Sequence, residues 1–305
     1  MPDRFESMTI LVAVVEAGSF SAAARQLKMP LATVSRKVGE LEAHLHTRLL
    51  QRSTRRLTLT DTGLSYVAAC RQILEQVGEA ERAAAGEYSV PKGELAITAP
   101  LVFGRLHLLP VVADFLKSYP EIDVRLMLTD RTMHLVEEHI DIALRIAELP
   151  DSSLRATPIG LVRRVVCASP SYLAQRGTPT DPRELGMHAC ITFEQMASRQ
   201  VWTFPAGAAG GGAIAVPVHS RLAVSTAEAA VDAAIAGVGV TRVVSYQMLS
   251  ALRAGALKIV LAPYEPPPWP INLLHAREGV LPLKVRAFLD FAAPRLKARV
   301  IAAAV

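Results

Sequence analysis

Up to about residue 90 the apolar positions of this chain recur mostly with a helical period. Beyond it, helical and strand-like runs alternate. Over residues 3–17, Phe5, Met8, Leu11, Val12 and Val15 lie three and four apart, which predicts a helix with one inward face. Gly18 stops it. Ser19 or Ser21 caps a second, short helix, whose Ala22, Ala23 and Ala24 let a neighbour approach closely. Lys28, Met29 and Pro30 break the pattern, because proline cannot continue a helix yet suits the first positions of the next one. A third helix follows over about 31–44, with Val34, Val38, Leu41 and Leu45 inward. Thr33, Ser35, Arg36 and Lys37 project from the other side of its first two turns.

A short helix, a tight turn and a second helix with polar and basic residues near its start make a helix-turn-helix. Its second helix enters the DNA major groove N-terminal end first. LLQRSTRRLTLT then reads as two short strands around a basic tip of Ser53, Thr54, Arg55 and Arg56. Such a wing reaches phosphates or the adjacent minor groove. The charge distribution supports this. Residues 25–56 hold Arg25, Lys28, Arg36, Lys37, Arg48, Arg52, Arg55 and Arg56 against Glu40 and Glu42, a net +6. The whole chain of 305 residues carries +5, so the remainder is close to neutral. Arg48 reads as a structural surface or salt-bridge residue, not a DNA contact.

Thr60 or Asp61 caps a further helix, with Leu64, Val67, Ala68, Ile73, Leu74, Val77, Ala80 and Ala84 as its apolar and small positions. No proline interrupts it as far as Tyr88, and a helix of about 25 residues spans about 37 Å. Its stripe needs cover. A second copy of the same helix across a twofold axis supplies it; the alternative is packing on the helix's own domain.

Gly86 to Lys92, with Pro91, reads as a hinge. GELAITAP, IDVRLMLTD and DIALRIA then read as strands, separated by helices over LHLLPVVADFLKSYP and RTMHLVEEHI. VVCAS, ITF at 191–193, the run ending at Ser225 and the run after Gly237 and Gly239 give a second set of strands. Residues 258–264 make another, PPPWP is rigid and extended, INLLHAR is a strand, and KVRAFLDFAAPRL is a closing helix. This alternation predicts α/β sheets with parallel strands, which bind ligands at their carboxyl ends. Those ends fall at Ala99-Pro100-Leu101, Thr129-Asp130 and Arg145.

The run AGSFSAAARQLKMPLATVSRKVGELEAHLHTRLLQRSTRRLTLTDTG resembles the DNA-binding domain of LysR-type transcriptional regulators. The likeness is carried by GSFSAAA on the second helix, VSRKVGELE on the third and LLQRSTRRLTLTDTG in the wing and exit. The order of elements beyond residue 90 resembles that family's effector domain. The ending VLAPYEPPPWPINLLHAREGVLPLKVRAFLDF is most similar to its CrgA-like subgroup. The resemblance implies an all-α winged helix-turn-helix and a long linker helix, followed by a periplasmic-binding-protein-like α/β effector domain of two lobes. The expected boundaries are 1–63 for the DNA-binding domain, 64–89 for the linker and 90–305 for the effector domain. Lobe one covers about 92–163 and 266–305, and lobe two 164–265.

It further implies a homodimer through the linker helix, or a homotetramer built from it, that binds double-stranded DNA at an interrupted inverted repeat. RNA polymerase is a further expected contact. The expected DNA contacts are Ser21, Leu31, Ala32, Thr33, Ser35, Arg36, Lys37, Arg52, Arg55 and Arg56. Where many relatives carry Gln or Ser, Leu31, Ala32 and Thr33 open the recognition helix here, so apolar contact with thymine methyls replaces hydrogen bonding to adenine. A small-molecule effector of unspecified identity is expected between the lobes, against Pro100, Leu101, Phe103, Thr129, Asp130, Arg145, Ser169, Thr192, Ser225 and Thr226. Ser225 and Thr226 precede a helix N-terminus that suits a carboxylate. Arg145 either binds an anion or pairs with Asp130.

No GxSxG, HExxH, CxxC or phosphate-binding GKS occurs, and the eight histidines show no metal-ligand spacing. Neither catalysis, a cofactor nor a metal is expected. GAAGGG at 207–212 lies between Trp202 and Pro217 in a hairpin-like stretch and does not open a helix, so it is no phosphate loop. Cys70, Cys167 and Cys190 are odd in number and far apart, which speaks for a reducing compartment. A redox pair of Cys167 and Cys190 is the bolder reading and ordinary burial the favoured one. The charged N-terminus is unlike a signal peptide, and no run of about 18 uncharged apolar residues suggests a membrane span. A cytoplasmic protein without a membrane partner is the expectation. It is set against a solute-binding protein, for which the last two-thirds would suffice, and an enzyme on the same scaffold.

Overall fold

Helices α1 (Arg4–Glu16), α2 (Phe20–Gln26) and α3 (Leu31–His44) form where the apolar period places them. The computed structural model describes residues 4–52, 57–84, 90–131, 135, 138–148, 154–193, 201–206, 212–276 and 281–302. It divides into two units: Met1–Pro91, Met133–Ile140 and Val280–Leu283 make one, and Lys92–Thr132, Asp141–Gly279 and Lys284–Val305 the other.

In the first unit, Ile10, Leu11 and Val14 of α1 pack with Ala23 and Ala24 of α2 and Val34, Val38 and Leu41 of α3. The buried stripe of α1 runs through Ser7, Ile10, Leu11 and Val14, at steps of three, one and three. Phe5, expected inward, therefore falls outside it and is 50% exposed. Ser19, not Ser21, caps α2: its Oγ accepts the Ala22 N–H at 3.1 Å. Strands β1 (Leu50–Arg52) and β2 (Leu57–Leu59) pair antiparallel as a wing, whose tip at 53–56 lies outside the described residues. The Glu42 carboxylate accepts the Leu49 and Leu50 N–H groups at 2.8 and 3.0 Å, tying the recognition helix to the wing. Helix α4 (Asp61–Ala84) follows. Thr60 Oγ1 accepts the Gly63 N–H at 2.9 Å and donates to the Arg48 carbonyl at 2.8 Å. Gly63 is required by close approach: a Cβ there would stand 2.0 Å from the Leu49 carbonyl oxygen. Val67 and Cys70 bury the start of α4.

Among its described residues the second unit holds two five-stranded sheets and a two-stranded hairpin. The chain enters the first sheet as β3 (Gly93–Ala99) and passes through α5 (Leu101–Phe103), a π turn (Gly104–Leu108) and α6 (Leu109–Ser118). It returns as β4 (Ile122–Leu128), β5 (Ile142–Ile146) and β6 (Leu154–Val162). The helix expected at RTMHLVEEHI falls largely outside the described residues; Leu135, Glu138 and His139 lie in turns.

The chain crosses at Arg163 into β7 (Arg164–Ala168) of the second sheet. There follow α7 (Pro170–Arg176), a 3₁₀ turn (Pro182–Met187), β8 (Ala189–Phe193) and a hairpin of β9 (Val201–Pro205) and β10 (Ala213–Pro217). The hairpin tip at 207–211 lies outside the described residues. Next come β11 (His219–Val224), α8 (Ala227–Ile235), β12 (Val240–Val244), α9 (Ser245–Arg253) and β13 (Lys258–Val260). The chain crosses back beyond a 3₁₀ turn (Ala262–Tyr264) and closes the first sheet with β14 (Trp269–Ala276) and α10 (Leu283–Ala302).

The sheet orders are β4-β3-β5-β14-β6 and β11-β8-β12-β7-β13. Each is mixed, not parallel throughout. β3 runs parallel to β4 and β5, while β14 is antiparallel to β5 and β6. β8 runs parallel to β11 and β12, while β7 is antiparallel to β12 and β13. The strands adjoining the two crossovers supply the antiparallel pairs. β6 and α9 were not expected from the sequence. Pro158 and Gly160 disguise β6, and both are tolerated because it is an edge strand. The strand expected over 258–264 stops at Val260. Arg163 and Glu265 join the two crossovers by two parallel hydrogen bonds of 2.7 Å. Among the described residues no single helix is long and apolar enough to cross a membrane.

Candidate functional site

A cavity of about 620 Å³ opens between the two sheets of the second unit. The first sheet contributes the carboxyl ends of β3, β4 and β5 through Pro100, Thr129, Asp130, Arg131 and Arg145. The second contributes Phe193 at the end of β8, Arg164 of β7 and Arg242 and Val244 of β12. Phe204 and Pro205 of the hairpin, Tyr246 of α9, and Pro266 and Trp269 at the return crossover complete the wall. The location is the one that open α/β sheets use for ligands.

Four expected effector residues meet here: Pro100, Thr129, Asp130 and Arg145. The others are placed elsewhere. Phe103 is buried behind the wall, edge-on to Tyr246 at 5.3 Å. Leu101 does not line the cavity, but its N–H donates to Asp130 Oδ1 at 3.0 Å. Ser169 is buried as the cap of α7. Thr192 is buried against Ser220, with 2.6 Å between the hydroxyl oxygens. Thr226 caps α8 through the Ala229 N–H, and Ser225 is exposed beside it. Their short polar side chains are used locally, so spacing alone misplaced them. Among the described ion pairs none joins Arg145 to Asp130; Arg145 Nη1 donates to the Leu144 carbonyl at 3.3 Å.

Arg164, Arg242, Tyr246 and Trp269 were not singled out from the sequence. The readable signal was an arginine opening the apolar run RVVCA and another inside GVGVTRVVS. Arg242 is only 8% exposed. Its guanidinium lies 5.1 Å from the Trp202 ring and 5.7 Å from Phe204, and Nη1 donates to the Thr203 carbonyl at 3.2 Å. Arg164 stacks on Trp269 at 4.1 Å. Burial, with Arg164 acting the same way, pushes Arg242 down from 12.5 to about 10. A basic group depressed on folding binds its proton less tightly in the native state. Its cost to stability is therefore full below pH about 10 and is relieved only as the pH climbs toward the unfolded value. Arg242→Met keeps the volume and removes the buried charge. It is expected to raise the thermal midpoint of this unit by about 3 °C. Differential scanning calorimetry reads this, and a drop of several degrees would contradict it.

Cys167 and Cys190 are buried, and burial pushes both thiols up to about 12, the reverse of a reactive thiolate. The redox reading of this pair is set aside.

On the recognition helix Leu31, 48% exposed, and Ala32 face solvent at the N-terminal end. Thr33 and Ser35 are half-buried, and Arg36 is exposed, paired with Glu40 one turn on. Lys37 is placed differently from expectation: its side chain, 14% exposed, turns back to Glu6 of α1. The angle between positions 36 and 37 explains this, since 37 lies next to the buried row of Val34, Val38 and Leu41. Ser21 is exposed on α2. The Arg52 side chain, Arg55 and Arg56 lie outside the described residues.

A winged helix-turn-helix and a two-sheet ligand-binding unit in one chain define a DNA-binding transcriptional regulator with an effector domain. Residues 5–64 match the family model of the bacterial regulatory helix-turn-helix protein, lysR family, and residues 89–297 match that of the LysR substrate binding domain. An HTH-type transcriptional regulator of Xanthomonas campestris pv. campestris is 36% identical over 291 residues, covering 94% of this chain and 84% of the relative. CrgA of Neisseria meningitidis serogroup B is 35% identical over 295 residues, covering 95% and 96%. The solved structure of CrgA, a LysR-type transcriptional regulator, superposes with a TM-score of 0.60 at 34% identity, covering 95% of this chain and 98% of CrgA. That of the Vibrio cholerae virulence activator AphB gives 0.60 at 28%, covering 94% and 97%. The chain belongs to the LysR family of transcriptional regulators.

Proposed function

We propose that this LysR-family regulator binds an interrupted inverted repeat in double-stranded DNA as a dimer or tetramer, and that a small molecule in the cleft between the two sheets sets its activity. The cavity at the strand ends, in a chain that also carries a recognition helix, is the observation that carries the reading. The working boundaries are 1–63 for DNA binding, 64–89 for the linker and 90–305 for the effector domain. Pairing through the linker helix is favoured by Leu64 and Ile73, which are 57% and 39% exposed on α4. DNA contact is assigned to Ser21, Leu31, Ala32, Thr33, Ser35 and Arg36, with Arg52, Arg55 and Arg56 of the wing. Lys37 is left out because Glu6 holds it. The effector meets Pro100, Thr129, Asp130 and Arg145. Its binding favours one degree of lobe closure over another, which alters the spacing of the DNA-binding modules and their bend of the DNA or contact with RNA polymerase. The protein works in the cytoplasm, as a regulator and not as an enzyme.

Arg36 is exposed on the groove-facing side, so Arg36→Ala is expected to weaken binding to the DNA upstream of the protein's own gene by about tenfold or more, with the fold intact. Affinity should fall steeply with salt, since arginine and lysine displace phosphate counterions. Gel shifts at two salt concentrations, with circular dichroism of the variant, measure both. A folded variant that binds like the parent would remove the recognition-helix assignment.

A further inference from the structure

We propose that the ligand of the cleft is an organic carboxylate with a flat apolar body, its carboxylate held by Arg164 and Arg242. This rests on the cleft being the effector site. The pairing of β7 with β12 sets Arg242 opposite Val166 and Val244 opposite Arg164. The two arginines are thus diagonal neighbours on one face of the sheet. Both Nε atoms are buried and have no hydrogen-bond partner. Among the described residues no carboxylate lies within ion-pair distance of either guanidinium; Glu148 gives Arg164 a weaker, more distant compensation. Two neighbouring cations, one of them 8% exposed, repel each other and are poorly solvated. Both line the cavity, so an anion entering it completes the site and removes the repulsion.

The opposite wall carries Asp130 beside Arg131 and Arg145, and Asp130 already takes the Leu101 N–H, so that wall offers a hydrogen-bond acceptor as well as positive charge. The carboxylate is assigned to Arg164 and Arg242, whose buried Nε atoms have no partner, and a hydrogen-bond donor of the ligand to Asp130. The rings of Phe193, Phe204, Tyr246 and Trp269 also line the cavity and suit a flat apolar body. The volume of about 620 Å³ accommodates an acid of one or two rings.

The chain has two tryptophans, Trp202 and Trp269, and each lies against one of these arginines. Tryptophan emission therefore reports the site directly. The full chain is titrated with benzoate and phenylacetate, and with the neutral benzamide and phenylacetamide. The acids are expected to shift the emission saturably, and the amides to bind at least about tenfold more weakly. Arg242→Gln and Arg164→Gln, each checked by circular dichroism, should weaken the acids about tenfold or more and leave amide affinity unchanged. The proposal is overturned if neither acid gives a saturable change up to about 10 mM, if amides bind as tightly as acids, or if both folded arginine variants keep the parent's affinity for the acids. Val244→Phe, which fills the cavity beside the arginines, separates the two levels. If acids and amides bind alike and V244F abolishes both, the cleft stands and the carboxylate assignment falls. If the response survives V244F, the cleft assignment falls with it.

Discussion

Replacing Gly63 by alanine is expected to abolish DNA binding and to leave the effector unit folded. The added Cβ would stand 2.0 Å from the Leu49 carbonyl oxygen and 2.9 Å from its carbon. Both are backbone atoms, held by the Leu49 N–H bond to Glu42 and by the Thr60 N–H bond to the Leu49 carbonyl. No side-chain rotation relieves such an overlap. Either the wing or the start of α4 must leave its place, at a cost of about 4 kcal/mol or more. A module of roughly 60 residues has little more stability than that to lose. Both tryptophans lie beyond residue 200, so emission follows the effector unit alone. Gel shifts should show no complex at any salt concentration, while the emission-monitored unfolding midpoint stays within about a degree of the parent's. Parental DNA affinity in G63A would show that the close approach at Leu49 does not exist.

Arg163→Ala is expected to have the largest single effect on the effector unit. It removes both 2.7 Å bonds to Glu265 and leaves that carboxylate, 14% exposed, without its cation. Fork-to-fork pairs of this kind are the stronger ion pairs, and breaking one side of a largely buried pair costs about 3 kcal/mol. Arg163 itself is 34% exposed, so solvent moderates the loss to about 2 kcal/mol. The emission-monitored midpoint should fall by about 4–8 °C. Arg163→Lys, which restores the charge without the two-pronged geometry, should recover part of it. An unchanged midpoint in R163A would mean that the tie between the crossovers contributes nothing.

The helix-turn-helix was legible because its apolar positions and its punctuation agree. Gly18, Ser19 and Pro30 mark boundaries that the structure keeps, and Val34, Val38 and Leu41 are all buried. The effector unit was legible as alternating strands and helices, but not in its strand directions. Antiparallel neighbours such as β14 and β6 are paired by chain crossovers far apart in sequence, which no local period encodes. Strand-end residues were found because ligand clefts of α/β sheets lie there, hence Pro100, Thr129, Asp130 and Arg145 at the cavity. Ser169 and Thr226 were drawn in by the same helix-start pattern that makes them caps. Arg164 opens β7 and Arg242 lies in the middle of β12, and their convergence depends on the register of β7 against β12, which sequence spacing does not supply. Lys37 shows the limit on a helix surface: one position, about 100° of rotation, separates an outward arginine from a lysine turned back to α1.

The most direct test of a DNA-binding regulator with this recognition helix is a DNase I footprint of the full chain on the DNA upstream of its own gene. Two protected half-sites should appear, related as an inverted repeat, with centres about 10.5 base pairs or a multiple apart. Protection should weaken as salt rises and vanish in Arg36→Ala at concentrations that saturate the parent. Absence of protection at low salt, or a footprint that Arg36→Ala leaves intact, would contradict it.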